Sequence, residues 1–187
     1  MHFRKHFWTA AACVGTLTAA ALPGVAVVRC AVSILPRGHF QLASGELYSN
    51  TADAREDIRQ AILTASAEHK RVLLVFGGNW CVDCHVLDLY LHDPGNASLL
   101  AANYVLVNVN IGEYDKNLDL ARKYGIPLDK GVPALVVLDG SGRALYAQRN
   151  GEFEKMRVLD SSVVTTFLQK WKSRPIHRQT KNHPSSK

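Results

Sequence analysis

Arg71-Val-Leu-Leu-Val-Phe-Gly-Gly-Asn-Trp-Cys-Val-Asp-Cys84 is the stretch on which the fold turns. Its first part is a continuous apolar run, the pattern of a strand buried on both faces and central in its sheet. Gly77-Gly78 stops the run, and the region of Cys81 then opens a helix expected to reach about His92. A buried strand thus gives way, within a few residues, to a helix N-terminus that carries two cysteines.

Working outward, helix and strand signals alternate. Thr51 or Asp53 caps a helix over 54–69, with Ile58, Ile62 and Leu63 on its apolar face. Asp93-Pro94-Gly95 breaks the cysteine helix, and 97–103 adds a further helical turn or two. Strand patterns follow at 104–111, 134–138 and 144–148, the last two joined by the hairpin signal Asp139-Gly-Ser-Gly142. Helices are expected at 115–124, ended by Gly125 and Pro127, and at 163–171, capped near Asp160 or Ser161. This order predicts an α/β sandwich with a mixed sheet.

Four cysteines occur, and Cys13 and Cys30 fall in or beside an apolar N-terminal segment, so Cys81 and Cys84 are the pair assigned to the folded domain. At a helix start, the dipole and unpaired N–H groups stabilise a thiolate at Cys81. The two-residue spacing lets Cys84 attack a mixed disulfide formed there. A purely structural disulfide is a poor explanation, because closing so short a loop removes little unfolded-chain entropy.

The same residues admit other chemistry. Cys81-Val-Asp-Cys84-His85 spells a c-type haem attachment site, with Met156 outside the N-terminal segment as a sixth ligand. A long buried strand directly before the motif is not something that such a site needs. A zinc site from Cys81, Cys84, His85 and His92 would lack a second cysteine pair. A peptide-binding module with incidental cysteines is a third alternative, which the tryptophan-flanked pair argues against. Neither a cofactor nor a metal is therefore expected.

Trp80-Cys81-Val82-Asp83-Cys84 after a strand, with Tyr124-Gly125-Ile126 and then Gly131-Val132-Pro133 before another strand, resembles the thioredoxin family over about 51–172. The longer reach from Leu87 to Asn110 is similar to exported thioredoxin-like proteins and to the soluble reductase domain of periplasmic electron carriers. The resemblance implies a thioredoxin-like three-layer sandwich, a mixed central sheet flanked by helices. It implies catalytic Cys81 and Cys84, with Trp80 shaping the site. It further implies a cis Pro133 against the disulfide, and exposed backbone at Val132 that pairs with an extended substrate. The partners so implied are protein thiols and disulfides, with an upstream electron donor or acceptor protein.

Two departures from the family stand out. The buried aspartate five residues before the motif tryptophan is here Val75, so Asp88, one turn beyond Cys84, is the candidate proton acceptor, with an ordinary solvated acid as the alternative. Pro127-Leu-Asp-Lys130 lengthens the loop before Gly131. Between the cysteines, Asp83 places a negative charge near both sulfurs. It should disfavour the thiolate and favour the disulfide, which makes the protein a reductase, with oxidase or isomerase as alternatives.

The ends carry a different message. His2, Arg4, Lys5 and His6 precede an uncharged apolar run of 22 residues from Phe7 to Val28, followed by Arg29. That layout predicts a signal peptide or N-terminal signal anchor over 1–30, then a linker over 31–50, with the domain exported to the periplasm or another extracytoplasmic space. Membrane attachment through this segment is one expectation and cleavage the other. The formal charge of +6 misleads unless divided: residues 50–169 hold 12 basic and 15 acidic side chains, whereas residues 170–187 hold six basic and no acidic ones. The domain is not basic, which argues against nucleic acid despite a pI near 9.3. Residues 173–187 read as a basic disordered tail.

Overall fold

The computed structural model describes residues 46–173. The expected signal or anchor over 1–30 and all but the first residue of the expected tail lie outside them, as does most of the linker. Among the described residues, four strands, β1 (Arg71–Gly77), β2 (Tyr104–Asn110), β3 (Ala134–Leu138) and β4 (Ala144–Ala147), form one mixed sheet in the order β2-β1-β3-β4. β1 runs parallel to β2 with Arg71 opposite Tyr104, and antiparallel to β3 with Val72 opposite Leu138. β3 and β4 form the expected hairpin, with an irregularity at Val137/Leu138.

The apolar run does place β1 centrally. Val72, Leu73, Leu74 and Phe76 are fully buried, and removing each such side chain from water stabilises the fold by about 1.5–3 kcal/mol. Five helices among the described residues flank the sheet: α1 (Ala54–Ala67), α2 (Val82–Leu91), α3 (Pro94–Asn103), α4 (Leu118–Tyr124) and α5 (Ser162–Trp171). α1 packs on β1 and β2, while α2, α3 and α5 pack together and α3 also touches β2. Residues 82–103 are thus the crossover between two parallel strands, the connection that parallel pairing requires.

Caps explain the boundaries. Asp53 accepts the N–H groups of Arg55 and Glu56 at 3.0 and 3.3 Å, and α1 buries Ala54, Ile58, Ala61 and Ala65 on one face. Asp93-Pro94, expected as a break alone, also starts α3. The Asp93 carboxylate accepts from Asn96 N at 2.7 Å, and Pro94 occupies the first turn, where its missing N–H costs nothing. The helix therefore begins three residues earlier than expected. α4 begins three residues later, because Asp115 accepts the Glu113 N–H at 2.9 Å in a turn and Asn117 is left-handed, with φ 51°.

Candidate active site

Gly77 ends β1, and α2 starts at Val82, so the residues between them hang the site on two packed elements. Cys81 is the N-cap of α2, and its sulfur is the acceptor that caps the helix, receiving the Cys84 N–H at 3.1 Å. A partial negative charge on that sulfur meets the positive end of the helix. Cys81 and Cys84 form a disulfide with Cα atoms 5.2 Å apart.

Both sulfur-bearing residues are buried, Cys81 at 5% and Cys84 at 1% exposure, so Cys81 is more accessible by a narrow margin. The surface around them is supplied by Trp80 and Val82, which are exposed. Trp80 is fixed by an indole N–H bond to the Gly112 carbonyl at 2.7 Å and packs against Tyr114, ring centroids 5.4 Å apart. Next to Tyr114 lies a hollow of about 260 Å³ lined by Tyr114, Leu118, Ala121, Arg122, Ile126 and Leu128.

The loop before β3 comes to the same place. Gly131, with φ 90°, turns the chain, the Val132–Pro133 bond is cis, and the Val132 carbonyl oxygen lies 3.6 Å from the Cys81 sulfur. Val132 was expected to present exposed groups to a substrate. It is instead buried at 6% exposure, with its carbonyl turned to Cys81. The buried Gln148 amide donates to the Pro133 carbonyl at 3.1 Å and accepts from Leu135 N at 3.3 Å, securing the start of β3 where proline supplies no N–H.

Asp83 does not stand free between the cysteines. Its carboxylate accepts the backbone N–H of Arg157 at 2.9 Å and the guanidinium at 3.2 Å, across 74 residues of sequence. Burial pushes its carboxyl up, but the hydrogen bonds and charge of Arg157 outweigh this and hold it below the usual carboxylate range. The negative charge expected near the sulfurs is therefore met by a cation. Asp88, the candidate proton acceptor, pairs with His92 on its own helix at 3.1 Å.

His85, the histidine of the haem and zinc alternatives, is half-buried on α2, with Nε2 2.9 Å from the Asn79 carbonyl oxygen. The imidazole thus braces the loop that carries the cysteines. Asn79 also holds the N-terminal strap, its side-chain amide accepting from Tyr48 N at 2.9 Å and donating to Tyr48 O at 2.8 Å. Asn108 and Asn110 donate to the carbonyls of Leu47 and Ser49 at 3.2 and 3.0 Å. The end of the expected linker is therefore part of the domain. Tyr48 is fully buried against the site.

Sequence reading missed Tyr48, Asn79, Tyr114 and Arg157. Leu47-Tyr48, an apolar pair in otherwise polar surroundings before α1, was the one local signal for the strap. Arg157 sits in a single 3-10 turn, Met156–Val158, that no periodicity announces.

A strand-to-helix cysteine pair facing a Val-Pro loop defines a class of protein, the thiol-disulfide oxidoreductases built on the thioredoxin fold. Comparison with known proteins agrees. Residues 53–140 match the thioredoxin-like family. The crystal structure described as the disulphide isomerase of Xylella fastidiosa Temecula1 is 35% identical, with a TM-score of 0.65 over 68% of this chain and 98% of that one. A thioredoxin from Thermus thermophilus is 22% identical, with a TM-score of 0.45, over 60% of this chain and 81% of its own. The oxidised C-terminal domain of Neisseria meningitidis DsbD is 19% identical, with a TM-score of 0.47, over 65% and 97%. None of the curated proteins compared matches the chain. The chain belongs to the thioredoxin-like family.

Proposed function

We propose that this protein reduces disulfides in extracytoplasmic protein partners by cycling Cys81 and Cys84 between dithiol and disulfide. The observation that carries the reading is the Cys81 sulfur, which caps α2, receives the Cys84 N–H at 3.1 Å and lies beside the Val132 carbonyl. In the reductive half-cycle the Cys81 thiolate attacks one sulfur of a partner disulfide and expels the other as a thiolate. Cys84, as thiolate, then attacks Cys81 Sγ in the mixed disulfide. The Cys81–Cys84 bond forms, and the partner leaves with both of its electrons as the second thiol. An upstream dithiol protein restores the pair by the reverse exchange.

Two features favour a protein substrate. Trp80 and Tyr114 present aromatic surface beside the cysteines, and the adjoining hollow takes an apolar side chain. The extracytoplasmic setting rests on the basic and apolar N-terminal layout, which would carry the domain out of the cytoplasm as a cleaved signal or an anchor. The reductive direction rests on the carboxylate of Asp83 in the first turn of α2, moderated by Arg157. Disulfide isomerisation is a second reading, favoured by the name of the 35% identical Xylella protein, and it begins with the same attack by Cys81.

Insulin reduction by dithiothreitol, with and without catalytic amounts of the protein, tests the reading. Accelerated precipitation of the insulin B chain supports it; a rate equal to the blank refutes it. Reactivation of scrambled ribonuclease without added oxidant would place isomerisation first.

A further inference from the structure

We infer that the Tyr48 hydroxyl is a positioning residue for the second cysteine, donating a hydrogen bond to the Cys84 sulfur whenever that sulfur carries negative charge. This deepens the oxidoreductase reading and rests on it.

The geometry begins at Gly77, the last residue of β1. A Cβ placed there would collide with the Tyr48 hydroxyl and would stand 2.7 Å from Cys84 Sγ, so the phenol oxygen and the sulfur flank the same spot, which glycine leaves open. Tyr48 is fully buried, and its hydroxyl has no hydrogen-bond partner among the described residues. A buried hydroxyl without a partner costs stability. Chance disorder does not explain the placement, because Asn79 grips both backbone polar groups of Tyr48, and Asn79 lies two residues before Cys81. The strap that carries the phenol and the loop that carries the cysteines are therefore tied together.

The unpartnered donor acquires an acceptor in one circumstance that this site creates. When a thiolate of a protein or small-molecule dithiol attacks Cys81 Sγ, a new S–S bond forms to Cys81, the Cys81–Cys84 bond breaks, and its electron pair departs on the Cys84 sulfur. In the opposite direction the same sulfur, as thiolate, attacks Cys81 and expels the partner's thiolate. The first passage ends, and the second begins, with negative charge on a sulfur that is 1% exposed and has little water to stabilise it. A phenol beside it supplies a charge-assisted bond, the strong kind.

The titratable groups around Cys84 leave this role open to Tyr48. On α2, Asp83 is held by Arg157, His85 by the Asn79 carbonyl, and Asp88 by His92. Val75, in β1, stands where the family places a buried acid and offers no proton chemistry. Burial, reinforced by the charge of Asp88, holds the Tyr48 phenol above its ordinary range, so it remains a donor at working pH.

The test uses the full chain with Cys81→Ala, which isolates Cys84, and compares it with the same chain carrying Tyr48→Phe. The pH dependence of Cys84 alkylation by iodoacetamide is followed on the Cys84 peptide by mass spectrometry. The expected result is a midpoint raised by about one unit, a thiolate fraction lowered about tenfold at a given pH below it. The melting temperature should be equal or higher, since the phenylalanine keeps the ring and removes an unpaired polar atom. In the chain with both cysteines, Tyr48→Phe should slow opening of the disulfide by dithiothreitol about tenfold. An unchanged midpoint overturns the inference, as does a lowered melting temperature with the midpoint unchanged, which would make Tyr48 a packing residue. Failure of insulin reduction by the wild-type protein with the midpoint still shifted would sink the proposed reaction and leave this contact standing.

Discussion

The Asp83 carboxylate, set between the two cysteines, is gripped by Arg157 through a backbone N–H at 2.9 Å and a guanidinium at 3.2 Å. This contact ties the first turn of α2 to the loop before α5 and sets the charge felt by the sulfurs. Its guanidinium is largely exposed, with 63% of the Arg157 side chain accessible, so it adds little to global stability. Its influence is local, on the redox pair.

Replacing Arg157 by Gln should therefore make the protein more reducing. Losing the cation leaves Asp83 to oppose a thiolate at Cys81, which favours the disulfide and lowers the potential, by about 30 mV if the effect is worth about 1.4 kcal/mol. Asp83→His should move it the other way. Equilibration with glutathione at fixed pH reads both; a potential unmoved by either variant would show that the Asp83 charge does not set the direction of electron flow.

The two cysteines should separate cleanly by role. Cys84→Ser is expected to accumulate mixed disulfides with protein partners through Cys81, while Cys81→Ser should trap none and lose insulin reductase activity. Non-reducing electrophoresis after acid quenching reports the adducts. Adducts on Cys81→Ser at the level of Cys84→Ser would reverse the assignment.

Trp80 is expected to matter more for large substrates than for small ones. Trp80→Ala removes the bond to the Gly112 carbonyl and the packing on Tyr114, so the rate with insulin should fall about tenfold, whereas the rate with a small aromatic disulfide should fall less. Equal losses on both would mean that Trp80 acts on the cysteines and not on the partner.

Acid should loosen the hairpin before it affects the core. Asp139 accepts from Ser141 and from the Arg143 N–H and guanidinium. The Ser141 bond, against the opposing effect of burial and with Arg143 adding to it, brings its carboxyl down to about 2. A lowered folded value means that its stabilisation is complete above the unfolded value of about 3.9 and lost as pH falls toward 2. Melting temperatures of wild type and Asp139→Asn should converge over that window. A constant gap down to pH 2 would contradict the assignment.

The central strand and the cysteine pair were legible because each is written locally, the one as an unbroken apolar run over 72–76 and the other as a spacing. What escaped is non-local. The Asp83–Arg157 contact spans 74 residues, and the strap at Tyr48 is bound by asparagines on two other segments, Asn79 in the loop after β1 and Asn108 and Asn110 in β2, 31 and 61 residues away in sequence. The burial of Val132 is non-local in the same way, its carbonyl lying 3.6 Å from a sulfur 51 residues earlier in the chain. Asp93-Pro94 was read as a stop, yet the same pair is also a start signal, and only the packing of Asn96 against Tyr90 and Thr165 decides for α3.

The most direct test of the account is a redox titration of the full chain against glutathione, with rapid alkylation and mass analysis of the Cys81–Cys84 peptide. The account predicts a single two-electron transition in which that peptide passes from carrying two alkyl groups to carrying none. A peptide that keeps both groups, or takes up none, across the whole range from fully reduced to fully oxidised glutathione would contradict it.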